Sequence, residues 1–181
     1  DFKMNIEGNV RKNSSFVTFT QVDDKGEFYP YGDNRVFVAV TNASIVSFEN
    51  GNPVDVECNW NACSRRSFYG LSRAFLKETG PQGSILVLAG MICGDRSLKT
   101  SSKATIRIQE GVVRGKGSWK KYTIRYTTDG TEPDMNSAQY TGPFEVSAGM
   151  KVRAKVYCED SVVLEMEEDF GEGIYWGEPG E

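Results

Sequence analysis

Histidine is missing from all 181 residues. That absence removes imidazole acid-base chemistry, Ser-His-Asp and Cys-His nucleophile systems, and His-liganded metal sites. Long apolar runs are missing too. The longest, Ile85 to Cys93, falls well short of the ~20 residues that a bilayer-spanning helix needs; it reads as a buried strand, and the chain is expected to be soluble. Collagen-like and low-complexity tracts are absent. A basic stripe able to hold nucleic-acid phosphates is lacking as well. Residues 1–110 carry 13 Lys and Arg against 12 Asp and Glu, residues 111–181 carry 8 against 13, and Glu159 to Glu181 holds nine acids and no base. An acidic stretch of this kind reads as a solvated face.

What is present is β patterning. Tyr122, Ile124 and Tyr126 alternate with Thr123, Arg125 and Thr127, the period of a half-buried strand. Asp129-Gly130 then breaks it with turn chemistry, and Glu132-Pro133 and Gly142-Pro143 extend and close the loop. Met150, Val152, Ala154, Val156 and Cys158 alternate against Lys151, Arg153, Lys155 and Tyr157, a strand with one wet face. Upstream, Phe16 to Val22, Ala43 to Phe48, Ile85 to Ala89 and Ala104 to Ile108 are strand-length pieces with no sustained helical period, which argues for an immunoglobulin-like sandwich of about seven strands. Val36 to Thr41 is apolar on both faces, as a strand covered on both sides would be. Gln109 to Ser118 has three glycines and few apolar residues. It reads as a linker, which divides the chain into residues 1–110 and 111–181 with a small polar interface and separable unfolding.

Two segments carry family resemblances. The order of strand, YTTDGTEP, polar loop, YTGPF and V-x-A-x-V strand over about residues 111–170 resembles the chitobiase and hexosaminidase C-terminal β-sandwich, a fibronectin III-related accessory module without catalytic residues. Over about residues 14–108, Asn50-Gly51-Asn52-Pro53 followed by Asp55 and Glu57, then Arg66, Phe68, Gly70 and Leu71, then Gly83, Ile85, Val87 and Ala89 resembles the C-terminal immunoglobulin-like domain of family 2 glycoside hydrolases, the β-galactosidase group. The run from Gly90 to Ser102 departs from that pattern by its length. Together the resemblances imply an all-β chain of two sandwiches in tandem. They imply a non-catalytic C-terminal accessory part of a secreted or periplasmic bacterial polysaccharide-degrading enzyme, whose partners are the catalytic and other domains of that enzyme. The chain starts without an initiator Met or leader, as expected of a mature chain or a piece of a larger one.

Candidate sites are set by chemistry. Paired carboxylates can cleave glycosidic bonds without histidine, but Asp55 and Glu57 lie two apart in a polar loop, and in the resembled family the catalytic carboxylates sit in an upstream barrel that ~180 residues of sandwich cannot contain. No catalytic residue is therefore expected. The acidic Asp129 to Asp134 loop is explained by turn chemistry rather than calcium, so neither metal nor cofactor is expected. Cys58 and Cys63 bracket four residues, close enough for a loop disulfide in an oxidising compartment; free buried thiols are the other reading. The loop from Glu49 to Arg66 is the most sugar-compatible stretch. Asn50, Asn52, Asp55, Asn59 and Asn61 supply donors and acceptors, and Trp60 supplies a ring against which a pyranose could stack or a neighbouring domain could rest. Trp119 and Trp176 read as packing residues, Tyr175 and Trp176 in a glycine-rich tail. Two alternatives to the accessory role remain: an independent carbohydrate-binding module and an adhesin-like protein-interaction module. Membrane insertion and nucleic-acid binding are not expected.

Overall fold

A computed structural model describes residues 1–9, 14–79, 83–95, 102–119 and 121–170. Residues 96–101 of the Gly90 to Ser102 departure and the Tyr175-Trp176 tail lie outside the described residues. Within them the secondary structure is all β. The strands are β1 (Phe2–Asn9), β2 (Ser14–Gln21), β3 (Arg35–Val40), β4 (Ala43–Glu49), β5 (Ser64–Arg66), β6 (Leu71–Glu78), β7 (Ile85–Cys93), β8 (Ser102–Arg114), β9 (Tyr122–Thr127), β10 (Ala138–Gln139), β11 (Phe144–Val146), β12 (Lys151–Cys158) and β13 (Ser161–Asp169).

They form three antiparallel sheets. The first has the order β1-β2-β6-β4, the second β5-β3-β7-β8-β11 and the third β10-β9-β12-β13. The first two, with β1, β2, β6 and β4 facing β3, β7 and β8, take the strand order of a constant-type immunoglobulin sandwich with a short extra β5.

The two central strands of the middle sheet, β3 and β7, are apolar on both sides. On β3, Val36 and Val38 turn into the core shared with Phe2, Val17, Phe19, Phe48 and Ala74 of the first sheet, while Phe37 turns the other way. On β7, Val87, Ala89 and Met91 face the first sheet and Leu88 and Ile92 the third. There they meet Ile124, Val152, Ala154, Val156, Leu164, Met166 and Phe170. The two-sided apolarity of Val36 to Thr41 thus records a strand covered by protein above and below. The two sandwiches share their middle layer.

This sharing corrects the expected linker. Residues 109–114 belong to β8, whose pairing with β7 continues to Arg114 opposite Ile85. Three glycines and few apolar residues suggest a loose connector, but Val112 and Val113 keep the extended pattern and Gly111 sits where Met4 and Ile6 crowd the backbone. A cut at 110/111 falls inside a strand. Nor is the contact across it small and polar: β13 packs over β3 and β7, and β11 pairs on β8 through Phe144 opposite Ala104. A polar lock adds to it, Arg66 Nη2 donating to Glu168 Oε1 at 2.9 Å with the Glu168 side chain only 3% exposed.

Gly90 shows how tight the shared layer is. A Cβ there would lie 2.7 Å from Ile108 Cδ1, 2.7 Å from Met166 Sδ and 3.0 Å from Leu164 Cδ2. Those are ends of flexible side chains, so Gly90→Ala is expected to fold yet lose about 1–3 kcal/mol by overpacking, read as a lower urea midpoint at unchanged slope.

Candidate functional site

The loop between β4 and β5 crosses from the first sheet to the middle one, and this divides the residues singled out from sequence. Its first part is a network of short-range side-chain bonds. Asn50 Oδ1 accepts from Asn52 N–H at 2.9 Å, Asn52 Oδ1 from Val54 N–H at 3.1 Å and Asp55 Oδ1 from Glu57 N–H at 2.9 Å. Asn50 Nδ2 donates to Asp55 Oδ2 and to the Arg66 carbonyl, both at 2.8 Å. Each Asx side chain bonds the backbone two residues on, which is the mechanism that makes these residues turn formers. Gly51 completes the turn at φ 76°.

Beneath this network lies Arg65, 2% exposed, with Nη2 at 3.0 Å from Asp55 Oδ2 and Nη1 at 3.9 Å from Glu57 Oε2. Burial pushes the Asp55 carboxyl up, but the Glu57 N–H, the Asn50 amide and the Arg65 and Arg35 guanidinium groups outweigh it and hold Asp55 below the ordinary aspartate value. Arg35 also grips Glu57 with both terminal nitrogens. The Asn50 amide, the Asn52 side-chain oxygen and the Asp55 carboxylate are therefore engaged by the protein itself, and none of these three residues lines the groove beside β4.

The second part of the loop does. Phe48 N–H donates to the Asn59 carbonyl at 2.8 Å and Asn61 N–H to the Val46 carbonyl at 3.0 Å, so residues 59–61 run as a short added edge along β4. Asn61 turns the chain at φ 56°, a conformation that Asn tolerates. The result is a shallow groove of about 370 Å³, lined by Val46, Ser47, Glu49, Asn59, Trp60 and Phe75. Trp60 is 69% exposed. The Asn59 side-chain oxygen is buried with no protein donor. Phe75 could not be placed there from the sequence; it arrives through the β4–β6 register, which sets it opposite Ser47.

Cys58 and Cys63 are free, exposed thiols; of the two readings that their spacing leaves open, the bridge is not made. The chain on either side is tied to different sheets, Asn59 to β4 and Cys63 to β3 through Val38 N–H at 2.8 Å, and Cys58 Sγ turns to the Trp60 carbonyl at 3.8 Å. In the Asp129 to Asp134 loop the acids are likewise committed to protein: Asp129 Oδ1 accepts from the backbone and hydroxyl of Thr131 at 3.1 and 2.5 Å, and Glu132 pairs with Lys155 at 2.5 Å. Trp119 packs against the core between the middle and third sheets.

Residues 99–162 match the chitobiase/beta-hexosaminidase C-terminal domain family. A candidate beta-glucuronidase of Formosa agariphila is 35% identical over 179 residues, 97% of this chain and 17% of that protein. The beta-galactosidase BoGH2A of Bacteroides ovatus is 34% identical over 79 residues, 43% of this chain and 9% of that one. The chain is similar to a short segment of each of these two glycosidases. Among solved structures, a glycosyl hydrolase family 2 member from Bacteroides cellulosilyticus is similar at 19% identity and a TM-score of 0.46, covering 62% of this chain and 15% of its own. The chain thus spans less than a fifth of the curated relatives it matches. The C-terminal domain family begins at residue 99, not near 111 as the sequence pattern suggests, and so takes in β8 from its first residue. The strand that closes the first sandwich also opens the matched domain.

Proposed function

We propose that this chain is a non-catalytic accessory part of a family 2 glycoside hydrolase, β-galactosidase- or β-glucuronidase-like, that supports and positions the catalytic unit in carbohydrate breakdown outside the cytoplasm. The observation that carries this reading is the match over 97% of the chain to a segment making up 17% of a candidate beta-glucuronidase. The layered fold supports it. Three sheets locked through a common middle layer make a stiff block, and the side chains of Asp55 and Glu57 are spent on Arg65 and Arg35 rather than poised over a cleft. The purified chain is expected to turn over neither aryl β-galactosides nor aryl β-glucuronides. Turnover abolished by Glu57→Gln would overturn the reading.

A second reading, carbohydrate binding at the Trp60 groove, rests on one observation: an exposed indole beside a buried amide oxygen without a donor. Sugar hydroxyls are donors of that kind, and a pyranose face suits an indole. Trp60→Ala is expected to weaken glycan affinity about tenfold if the groove is used, the equivalent of ~1.4 kcal/mol; an unchanged isotherm by calorimetry disposes of it.

A further inference from the structure

Beyond the β4–β5 loop, the first sandwich presents Phe28, Tyr29, Tyr31 and Tyr69 at 46–80% exposure. These rings come from two turns that are built to hold them. Tyr29-Pro30-Tyr31-Gly32 is a β-turn closed by Gly32 N–H to the Tyr29 carbonyl at 3.1 Å, with Pro30 at the position where its fixed φ is pre-set for the turn. The Tyr29 and Tyr31 rings meet edge to face at 5.8 Å.

The second turn is the tip of the hairpin ahead of β6, where Phe68 and Leu71 exchange backbone bonds at 2.9 and 3.0 Å across Tyr69-Gly70. Both tip residues have positive φ, 48° and 77°, as a two-residue type I′ turn requires. Asn, Asp or Gly fill such a first position at little cost, whereas a bulky aromatic is strained there. The turn geometry does not call for a tyrosine, and the ring is 69% exposed rather than packed away.

The two turns are fastened into one frame. Gly70 N–H donates to the Gly32 carbonyl at 3.0 Å, Gln21 N–H to the Gly70 carbonyl at 2.8 Å and Tyr29 N–H to the Gln21 carbonyl at 2.9 Å. Contact is so close that a Cβ on Gly70 would stand 2.5 Å from the Tyr29 carbonyl oxygen. Below, the buried Gln21 side chain donates to Ser67 Oγ at 3.0 Å and accepts from Asn34 Nδ2 at 3.3 Å. Exposed rings on a frame fixed by buried polar bonds are preorganised for contact, since little side-chain or loop freedom is left to lose.

We propose that this aromatic patch is a glycan-binding platform, with Tyr31 and Tyr69 stacking against the faces of pyranose rings in a polysaccharide. Three of the four rings carry a hydroxyl, which suits a ligand that offers C–H faces and hydroxyls together. The size also favours a sugar chain over a protein. Rings of ~150–250 Å² each, exposed at 46–80%, stay below the ~800 Å² that a stable interface takes from each partner.

Affinity electrophoresis of the whole chain through gels containing β-galactan, xyloglucan, glucuronoxylan or laminarin tests the proposal. At least one polysaccharide is expected to retard the chain, and Tyr31→Ala and Tyr69→Gly each to weaken that retardation about tenfold. Tyr69→Gly also relieves the strained φ, so its melting temperature should rise, which separates loss of binding from loss of fold. Free migration in all four gels would overturn the platform. So would retardation that survives both tyrosine variants and disappears with Trp60→Ala, which would place the sugar in the groove.

Discussion

Expressed alone, residues 1–110 are expected to show no cooperative unfolding transition and to bind a hydrophobic dye, and residues 111–181 are expected to behave the same way. Cutting there removes Gly111 to Arg114 from β8 and strips the third sheet from the middle one. Phe37, Leu88, Ile92 and Ile106, all at most 7% exposed, would then face water. At about 1.5–3 kcal/mol for each such side chain, their combined exposure rivals the ~5–15 kcal/mol that holds a whole domain folded. Strand edges left open by the loss of β11 add an aggregation hazard. The intact chain should accordingly melt in a single transition, with calorimetric and van't Hoff enthalpies equal. Two well-separated transitions, or a soluble and cooperatively folding 1–110 fragment, would show that the shared layer contributes little.

The same shared layer marks where the sequence stops being readable. Alternation identifies β9 and β12, and Asp129-Gly130 identifies the turn at the end of β9, because those signals are local: a side-chain period of two and a glycine at φ 79°. The two-faced apolarity of β3 is visible as well. Its packing partner is not, since a strand buried by its own sandwich and one buried by a neighbouring sheet have the same composition. The linker expectation fails for a related reason. Glycine count argues for a loop, yet Gly111 serves as a close-approach site inside a strand.

For the candidate site the division is similar. That Asn50, Asn52 and Asp55 are polar loop residues is legible; that they spend their hydrogen bonds on one another depends on where Arg65 goes, and nothing local to the loop says that an arginine will be 2% exposed. The exposed tyrosines are hidden from a linear reading because Tyr-Pro-Tyr-Gly and Phe-Tyr-Gly lie almost forty residues apart in sequence and meet only through the Gly70–Gly32 bond. A tyrosine preceding glycine at a two-residue turn is the available signal, and it carries weight only once φ at Tyr69 is known.

Arg65 is the residue whose loss should cost most among single substitutions in the loop. Truncating it by Arg65→Ala leaves Asp55 beside a half-buried cavity with its cationic partner gone, and removing one member of a buried pair typically costs about 3–5 kcal/mol. Chemical denaturation should show a loss of that order. The double variant Arg65→Ala with Asp55→Asn is expected to recover part of it, because the amide retains shape and hydrogen bonding without an unpaired charge; additivity of the two losses would mean that Arg65 acts through packing alone. Asp55 also sets the sign of a pH dependence, held down first by the Glu57 N–H and the Asn50 amide and then by the Arg65 guanidinium. Asp55 is held below its ordinary value in the folded chain, so its contribution is fully present above the unfolded aspartate value near ~3.9 and fades as pH falls through the lower folded one. Wild type should therefore lose stability through that acid window more steeply than Arg65→Ala, whose Asp55 no longer has the guanidinium holding it down. If the two stability profiles run parallel below pH ~4, the carboxylate is not being held by Arg65, and the loop must owe its shape to the Asn50 and Glu57 backbone bonds instead.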